Sequence, residues 1–364
     1  MKKLIRFIVS CSFIFFPSCE ENAIDPVIPI VNTPQYQWES ASLVSQNIDS
    51  VKIDSAVLQF GANENIYSFI LARNGYLVKE YYRSQFYFYN EFELRSVTKS
   101  IISALVGVAL QKGLIDSLDQ PMLSFFPEYD SPELDPRKKL ITVRHLLTMR
   151  AGFDFSDNNP PPYLDSPTAV RVKLIIGLPM KYNPGERFYY GSVQTHLLSA
   201  IITKRSGLST LEFAKKYLFT PAKINAGYWS KDPQGIYSGG SGLLMSPRNM
   251  ARFGFLYLHN GMLDSVRILP QSWIEQSTLP NNAANGIWGD LSNVNYGFSW
   301  WTNYDSHDSL YFAAGSGGQY IMIVPSKNAV IVATANPNVP AEIAGQQEDE
   351  IMNILVRYVI PSLR

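Results

Sequence analysis

The sequence predicts an α+β fold in which one antiparallel sheet, built from both ends of the chain, is flanked by helices and carries an inserted, mainly helical lobe. β-prone segments occur early, within residues 66–83, and again late, within residues 294–335. The segment between them, residues 116–259, consists mainly of helical patterns, each ended by Gly or Pro, and long loops. A binding site would fall naturally in a cleft between the sheet and the lobe.

The N-terminus differs in kind from the rest of the chain. A basic start, MKKLIR, precedes the apolar stretch FIVSCSFIFF and then PSCEEN. That stretch is too short to cross a bilayer as a helix, which takes about 20 residues, so residues 1–18 are expected to be an export signal. Cys19 follows the small Ser18 and resembles the lipidated cysteine of a bacterial lipoprotein. We expect an exported protein, periplasmic or held at the outer membrane or cell surface by this anchor; cleavage nearby without lipidation is the alternative.

Residues 19–45 contain spaced prolines without a sustained period, which is typical of a tether or surface arm. From residue 46 to residue 364 there is no repeat and no linker, so these residues are expected to form one domain. Its α/β part would comprise about 46–115 and 260–364, and its helical lobe about 116–259.

Within the domain, a hairpin is indicated by Asn74-Gly75 between two β-prone runs. The next segment, FELRSVTKSIISALVGVALQKG, predicts a buried helix closed by Gly113. Near the C-terminus, VNYGFSWWTN, SLYFAAG, QYIMIVP and AVIVATAN predict successive strands, and EDEIMNILVRYVI a final helix.

Composition excludes several classes of function. The formal net charge is zero and no basic stretch stands out in the domain, which argues against a nucleic-acid partner. None of the four histidines lies in a metal-binding spacing, so we expect no metal. No organic cofactor is indicated either. The absence of a GxSxG motif argues against an α/β-hydrolase.

Ser96 and Lys99 are the first candidates for chemistry. A serine hydroxyl is a poor nucleophile and needs an adjacent base, and residues three apart on a helix share a face. Burial disfavours the charged form of an amine, so a buried lysine can act as that base. The backbone N–H of Ser96, near a helix N-terminus, could bind an oxyanion. An N-cap serine followed by a solvated lysine is the alternative, and this motif alone would favour it.

Two later segments could complete a site. In NPGERFYYGSVQTHLLSAII, Tyr190-Gly191-Ser192 precedes a helix. In YFAAGSGGQYIMIVP, a predicted strand is broken by glycines, which mark a bulge or close backbone approach. The N–H of Ser316 in that break could be a second oxyanion donor.

Five segments in this order resemble the serine β-lactamase and penicillin-binding-protein superfamily, in its class C-like branch of esterases, D-amino-peptidases and 6-aminohexanoate-dimer hydrolases. They are SVTKS, ITVRHLLTMRAGF, PGERFYYGS, GGSGLLMSPRNMARFG and YGFSWW…AAGSGGQYIMIVP, spread between about residues 50 and 340. The resemblance implies a β-lactamase/transpeptidase-like fold. It also implies that Ser96 is the nucleophile, Lys99 its basic partner and Tyr190 the phenol that relays a proton to the leaving group. Ser192 stands where many relatives have Asn.

The resemblance further implies that the backbone amides of Ser96 and Ser316 form the oxyanion hole, with Gly315 and Gly317 shaping the turn. Relatives that act on β-lactams carry a Lys or His in the last motif, where this chain has Ala313 or Ala314. The loss of that cation, which helps to hold a substrate carboxylate, argues against efficient β-lactamase activity.

The tripeptide Ser156-Asp157-Asn158 spells a motif of class A β-lactamases. It lies in a Pro-rich loop and has no KTG partner, so we interpret it as coincidental.

We therefore expect a serine hydrolase that cleaves an ester or amide bond through an acyl-enzyme on Ser96. Its partner would be a small-molecule or peptide substrate: a small ester, a D-amino-acid peptide, an oligoamide or a β-lactam. The alternative is a catalytically silent module that binds cell-wall peptide through the same cleft. A protein whose function is the surface tether alone has no support beyond Cys19.

Overall fold

A computed structural model of the protein describes residues 36–85, 90–304 and 308–364. The export signal, Cys19 and the first part of the tether lie outside these residues and stay predictions. Within the described ranges, no helix combines the length and the apolar character that crossing a membrane requires.

The strands of the large sheet come from the first and last parts of the described chain, and most of the helices lie between them. The strands are β1 (Ile66–Arg73), β2 (Tyr76–Tyr82), β3 (Phe92–Glu93), β4 (Ala226–Trp229), β5 (Leu243–Met245), β6 (Met262–Leu263), β7 (Val266–Arg267), β8 (Asn282–Trp288), β9 (Leu291–Tyr296), β10 (Trp301–Asn303), β11 (Leu310–Gly315), β12 (Gln319–Val324) and β13 (Ala329–Ala335). The α-helices are α1 (Ser50–Ala62), α2 (Val97–Gln111), α3 (Val143–Leu147), α4 (Arg171–Gly177), α5 (Ser192–Ser206), α6 (Thr210–Ala214), α7 (Thr220–Ala222), α8 (Pro247–Leu258), α9 (Gln271–Thr278) and α10 (Ala341–Ile354).

An antiparallel sheet joins the two ends of the chain, which confirms the predicted α+β fold. Its eight strands lie in the order β2-β1-β13-β12-β11-β10-β9-β8. The first and last strands of the domain are neighbours, since β1 pairs with β13 in a register that places Phe69 opposite Ala333. The predicted hairpin is also present, and Asn74 and Gly75 both adopt positive φ, as its tight turn requires.

Two apolar layers cover the faces of this sheet, because successive strand residues point to opposite sides. From β12, Ile321 packs in the layer that contains α2 and α8, whereas Tyr320 packs in the layer that contains α1 and α10. Helix α8, which falls within the predicted lobe, packs directly on the sheet: a Cβ at Gly254 would lie 2.5 Å from the Val330 side chain.

Two details of the sheet differ from the sequence prediction. VNYGFSWWTN forms the end of β9 and the whole of β10 rather than one strand, and Ser299 between them adopts φ 59°. Gly297 permits this break because its Cα approaches the Ser277 carbonyl closely; a Cβ there would lie 2.2 Å from that oxygen. A second sheet, in the order β3-β5-β4, was not predicted.

Helix α2 runs through the core and presents its N-terminus to the end of β11. Residues 97–109 of this helix are all buried, and the chain leaves it at Gly113 with φ 65°. At the other end, Gly315 packs against the residues that precede the helix. A Cβ at Gly315 would lie 2.3 Å from the Leu94 carbonyl oxygen, so only glycine permits this approach. The turn after β11 is thereby held beside Ser96.

Candidate active site

Ser96 and Lys99 are in direct contact at the start of α2. Ser96 is the N-cap residue, and Lys99 is 1% exposed. Lys99 Nζ lies 2.8 Å from Ser96 Oγ, 2.8 Å from Ser192 Oγ and 3.0 Å from the Gly240 carbonyl oxygen. The alternative of a solvated lysine therefore does not describe this residue.

The three contacts of Lys99 suit both of its protonation states. As an ammonium it has three N–H donors, and each faces one of the three oxygens. As a neutral amine it has two N–H donors and one electron pair, so it can donate to Ser192 and Gly240 while the Ser96 hydroxyl donates to it. The amine can thus take the Ser96 proton without any rearrangement of its neighbours.

Gly240 is a residue that the sequence did not single out, although the segment around it was one of the five motifs. The residue packs closely on the start of α5, since a Cβ at Gly240 would lie 2.5 Å from Ser192 Cβ. That closeness is what allows the Gly240 carbonyl to reach Lys99. The sequence shows a glycine at this position, but it does not show which residue packs against it.

Ser192, the first residue of α5, connects Lys99 to a carboxylate. Its backbone N–H donates to both oxygens of Asp157 at 3.1 Å, and its Oγ donates to Asp157 Oδ2 at 3.0 Å. The preceding Gly191 has no side chain to cap the helix, and Asp157 supplies that cap from a distant loop. We interpreted Ser156-Asp157-Asn158 as a coincidental match to the class A motif, and that interpretation stays a prediction, but Asp157 itself contacts a candidate site residue.

The loop that carries Asp157 is anchored on either side of it. Phe155 is buried, and a Cβ at Gly191 would lie 3.0 Å from its ring. The Asp154 N–H donates to the Pro179 carbonyl at 2.8 Å. These contacts, rather than a local pattern, bring the carboxylate to α5.

Tyr190 presents its ring to the amine. Lys99 Nζ lies 4.9 Å from the ring centroid, a cation–π distance. The ring also stacks on Trp301, with centroids 5.8 Å apart, and meets Tyr296 edge-on at 6.0 Å. Within the described ranges, the Tyr190 hydroxyl makes no hydrogen bond to Lys99 or Ser96. Its role as a proton relay stays a prediction.

The rings of Phe188, Tyr190, Tyr296 and Trp301 form an aromatic wall beside Lys99. Phe188, Tyr190 and Trp301 are half-buried, whereas Tyr296 is fully buried. Burial raises the pKa of Tyr296 well above its ordinary value, and the nearby Tyr190 and Asp157 raise it further. Tyr296 therefore stays neutral, and the wall supplies apolar surface to the site.

The turn after β11 carries Ser316 at the surface, and Gly315 before it packs on Leu94 and Arg95, which directly precede Ser96. Gly317 adopts φ 82°, and its N–H donates to Glu348 Oε1 of α10 at 2.8 Å. Among the residues that the structure describes, none accepts the Ser316 N–H, which leaves that donor free for an oxyanion. Burial raises the pKa of Glu348, although the hydrogen bond from Gly317 opposes this effect.

The residue before Ser96 has an unusual backbone. Arg95 adopts φ 48°, a left-handed conformation that is uncommon for a residue with a side chain. Its guanidinium donates to the Pro337 carbonyl at 2.7 Å and to Asn338 Oδ1 at 3.0 Å, which holds it in place. Such local strain is typical of functional sites.

Two further features concern what the site could bind. No group of three or more His, Cys, Asp and Glu side chains that could hold a metal occurs in the described part of the chain. β11 contains no Lys, Arg or His, and its Ala313 and Ala314 are 1% and 5% exposed.

Comparisons with known proteins show which family the chain resembles. The model of the Beta-lactamase family matches residues 91–355. The 6-aminohexanoate-dimer hydrolase of Paenarthrobacter ureafaciens is 25% identical over 293 residues, which are 73% of this chain and 71% of that protein.

Solved structures share the fold. The hydrolase EstCE1, described as having promiscuous acyltransferase activity, aligns with a TM-score of 0.69 at 15% identity, covering 86% of this chain and 99% of that one. A penicillin-binding protein from Bacillus halodurans aligns with a TM-score of 0.64 at 15% identity, covering 83% and 99%.

Proposed function

Because this chain belongs to the β-lactamase family, we propose that it is a serine hydrolase that cleaves an ester or amide bond through an acyl-enzyme on Ser96. The observation that carries the proposal is the buried Lys99 amine, 2.8 Å from the Ser96 hydroxyl. A serine in contact with a buried base is an activated nucleophile.

The reaction begins when Ser96 Oγ attacks the carbonyl carbon of the substrate and its proton passes to Lys99 Nζ. The backbone N–H groups of Ser96 and Ser316 stabilise the negative oxygen that forms. The bond to the leaving alcohol or amine then breaks as that group takes the proton held by Lys99, which the Tyr190 hydroxyl relays. Water then attacks the acyl carbon, the bond from that carbon to Ser96 Oγ breaks, the acid leaves, and Ser96 Oγ takes one proton of the water.

The substrate is a neutral ester or amide, such as a small ester, an oligoamide or a D-amino-acid peptide, in preference to a β-lactam. The buried Ala313 and Ala314 leave no cation from β11 to hold a carboxylate, and the aromatic wall favours apolar groups beside Lys99. The names of the 6-aminohexanoate-dimer hydrolase and of EstCE1 also support hydrolysis of amides or esters.

The protein is exported and anchored to a membrane by a lipid on Cys19. The support is the basic and apolar start of the sequence, followed by Ser18 and Cys19. Fatty-acid labelling of cells that express the protein should mark the wild type and not Cys19→Ser. Equal labelling of both would exclude this anchor.

A panel of p-nitrophenyl esters, short amides and a chromogenic cephalosporin tests the activity. We expect ester or amide turnover that exceeds cephalosporin turnover in the wild type, and turnover at the level of the buffer in Ser96→Ala. A wild-type protein that turns over no substrate, and that no serine-directed probe modifies, would favour the silent cell-wall-binding alternative.

A further inference from the structure

Asp157 makes two separate kinds of contact with Ser192. The hydrogen bond from the Ser192 N–H to the carboxylate caps α5, and this bond alone is sufficient for capping the helix. The additional bond from Ser192 Oγ to Asp157 Oδ2, at 3.0 Å, involves the same hydroxyl that lies 2.8 Å from Lys99 Nζ. A continuous chain of hydrogen bonds therefore runs from Asp157 through Ser192 and Lys99 to Ser96.

We propose that Asp157 is a positioning residue for the reaction at Ser96: acting through the Ser192 hydroxyl, it orients the Lys99 amine and stabilises the ammonium that forms there. The inference rests on the proposed function. It also gives Ser192 a defined task, as the hydroxyl that transmits the effect of the carboxylate.

The orientation follows from the number of protons available. A serine hydroxyl has one proton, and Ser192 gives it to Asp157. Its lone pairs then face Lys99, so Ser192 can only accept a hydrogen bond from the amine. The Gly240 carbonyl can also only accept. With both N–H groups of the neutral amine engaged in this way, its electron pair must point at Ser96.

The electrostatic effect follows from the charge of the carboxylate. When Lys99 takes the Ser96 proton, a positive charge appears one hydroxyl away from Asp157, at a distance of roughly 6 Å or less. In the described part of the chain, no carboxylate forms a direct ion pair with Lys99. Among the described residues, Tyr190 lies against Lys99 and the neutral Tyr296 lies against Tyr190. One turn further along α5 than Ser192, His196 pairs with Asp232 at 3.0 Å.

Asp157 is exposed, so water and salt weaken its effect on Lys99. We therefore expect a modest contribution, well below that of Lys99 itself. Removing a nearby negative charge disfavours a protonated amine. In the charge-free variant, the ammonium that forms during the reaction should therefore be less well stabilised, and the reaction should be slower.

The test compares the pH dependence of ester hydrolysis in the purified wild type, Asp157→Asn and Asp154→Asn. Asparagine keeps one oxygen that can accept from the Ser192 hydroxyl, removes the charge and replaces the other oxygen by an NH2 group. We expect Asp157→Asn to lower the plateau of kcat by about 3- to 10-fold and to move the acid limb of the profile to lower pH. Asp154 lies on the same loop and is also exposed. Asp154→Asn should therefore change neither the plateau of kcat nor the acid limb of the profile. Asp157→Glu should recover part of the rate.

If the wild type is active and the pH profile of Asp157→Asn superimposes on the wild-type profile, this inference is wrong and the proposed function stands. Asp157 would then be a cap alone, and Asp157→Ala would lower the melting temperature without moving the acid limb. A wild type that is inactive and is not modified at Ser96 at any pH would overturn the proposed function and this inference together.

Discussion

Replacing Lys99 by methionine should abolish activity with little effect on folding. Methionine has a similar length and is well suited to a buried position, but it has no electron pair that could take the Ser96 proton. Lys99 is 1% exposed and bonded to three oxygens. If the role of Lys99 were structural, its loss would lower the stability of the fold strongly. If its role is catalytic, its loss lowers turnover far more than stability. Measuring both quantities in the same variant separates the two roles.

The stability change is a difference between opposing terms. Three lost hydrogen bonds cost roughly 2–4 kcal/mol in total, at about 1 kcal/mol each with a penalty for the unpaired Gly240 carbonyl. Against this, the variant no longer dehydrates an amine that is charged in water, a saving of several kcal/mol. We expect a free energy of unfolding within about 2 kcal/mol of the wild type. The loss of the base should lower turnover by about 10³-fold or more, which corresponds to about 4 kcal/mol.

Lys138→Met is the matched control. Lys138 is also buried, at 3% exposure, and it donates to the Ile176 carbonyl at 2.6 Å, outside the site. Burial lowers the pKa of Lys138, so both variants remove a poorly hydrated amine. Thermal unfolding followed by circular dichroism gives the stability of each protein, and hydrolysis of a p-nitrophenyl ester gives its activity. The control should keep its activity within about twofold.

Two results would refute this reasoning. A Lys99→Met protein that retains a tenth or more of the wild-type turnover would show that Lys99 is not the base. A loss of more than about 4 kcal/mol of stability would instead show that the lysine is primarily a structural anchor.

Two other perturbations test parts of the site. Gly240→Ala should reduce kcat by about tenfold or more, because its Cβ would lie 2.7 Å from Ser192 Oγ and would displace an acceptor of the Lys99 amine; unchanged kinetics would show that this acceptor is dispensable. Glu348→Gln should stabilise the protein at neutral pH, by under about 1 kcal/mol, and should have little effect near pH 4. Burial raises the pKa of Glu348 in the folded state, so its stabilising effect is present below its unfolded pKa and is lost as the pH rises through the raised value. Melting temperatures measured from pH 4 to pH 8 test this, and a difference independent of pH would contradict it.

The contact between Ser96 and Lys99 is local, so the sequence could suggest it, although the motif alone favoured a solvated lysine and only the five segments together favoured a catalytic pair. A spacing of three on a helix fixes the geometry, and the apolar run that follows indicates burial. The sheet built from both chain ends was predictable for a related reason, since a change from helical to strand-like patterning marks its elements wherever they occur.

The contacts made across the site could not be predicted in the same way. Asp157 reaches Ser192 across 35 residues, along a path set by Phe155 and by backbone hydrogen bonds within a Pro-rich loop. The direction of the Tyr190 ring depends on Trp301 and Tyr296, which come from distant strands. A one-dimensional pattern contains no information about which of these partners will meet.

The most direct test of the acyl-enzyme is the mass of the protein after reaction with a fluorophosphonate or a slowly hydrolysed p-nitrophenyl ester. We predict that the wild type gains the mass of one phosphonyl or acyl group, that the modified peptide contains Ser96, and that Ser96→Ala gains none. Modification of a different residue, or ester hydrolysis by Ser96→Ala at the wild-type rate, would contradict the assignment of Ser96 as the nucleophile.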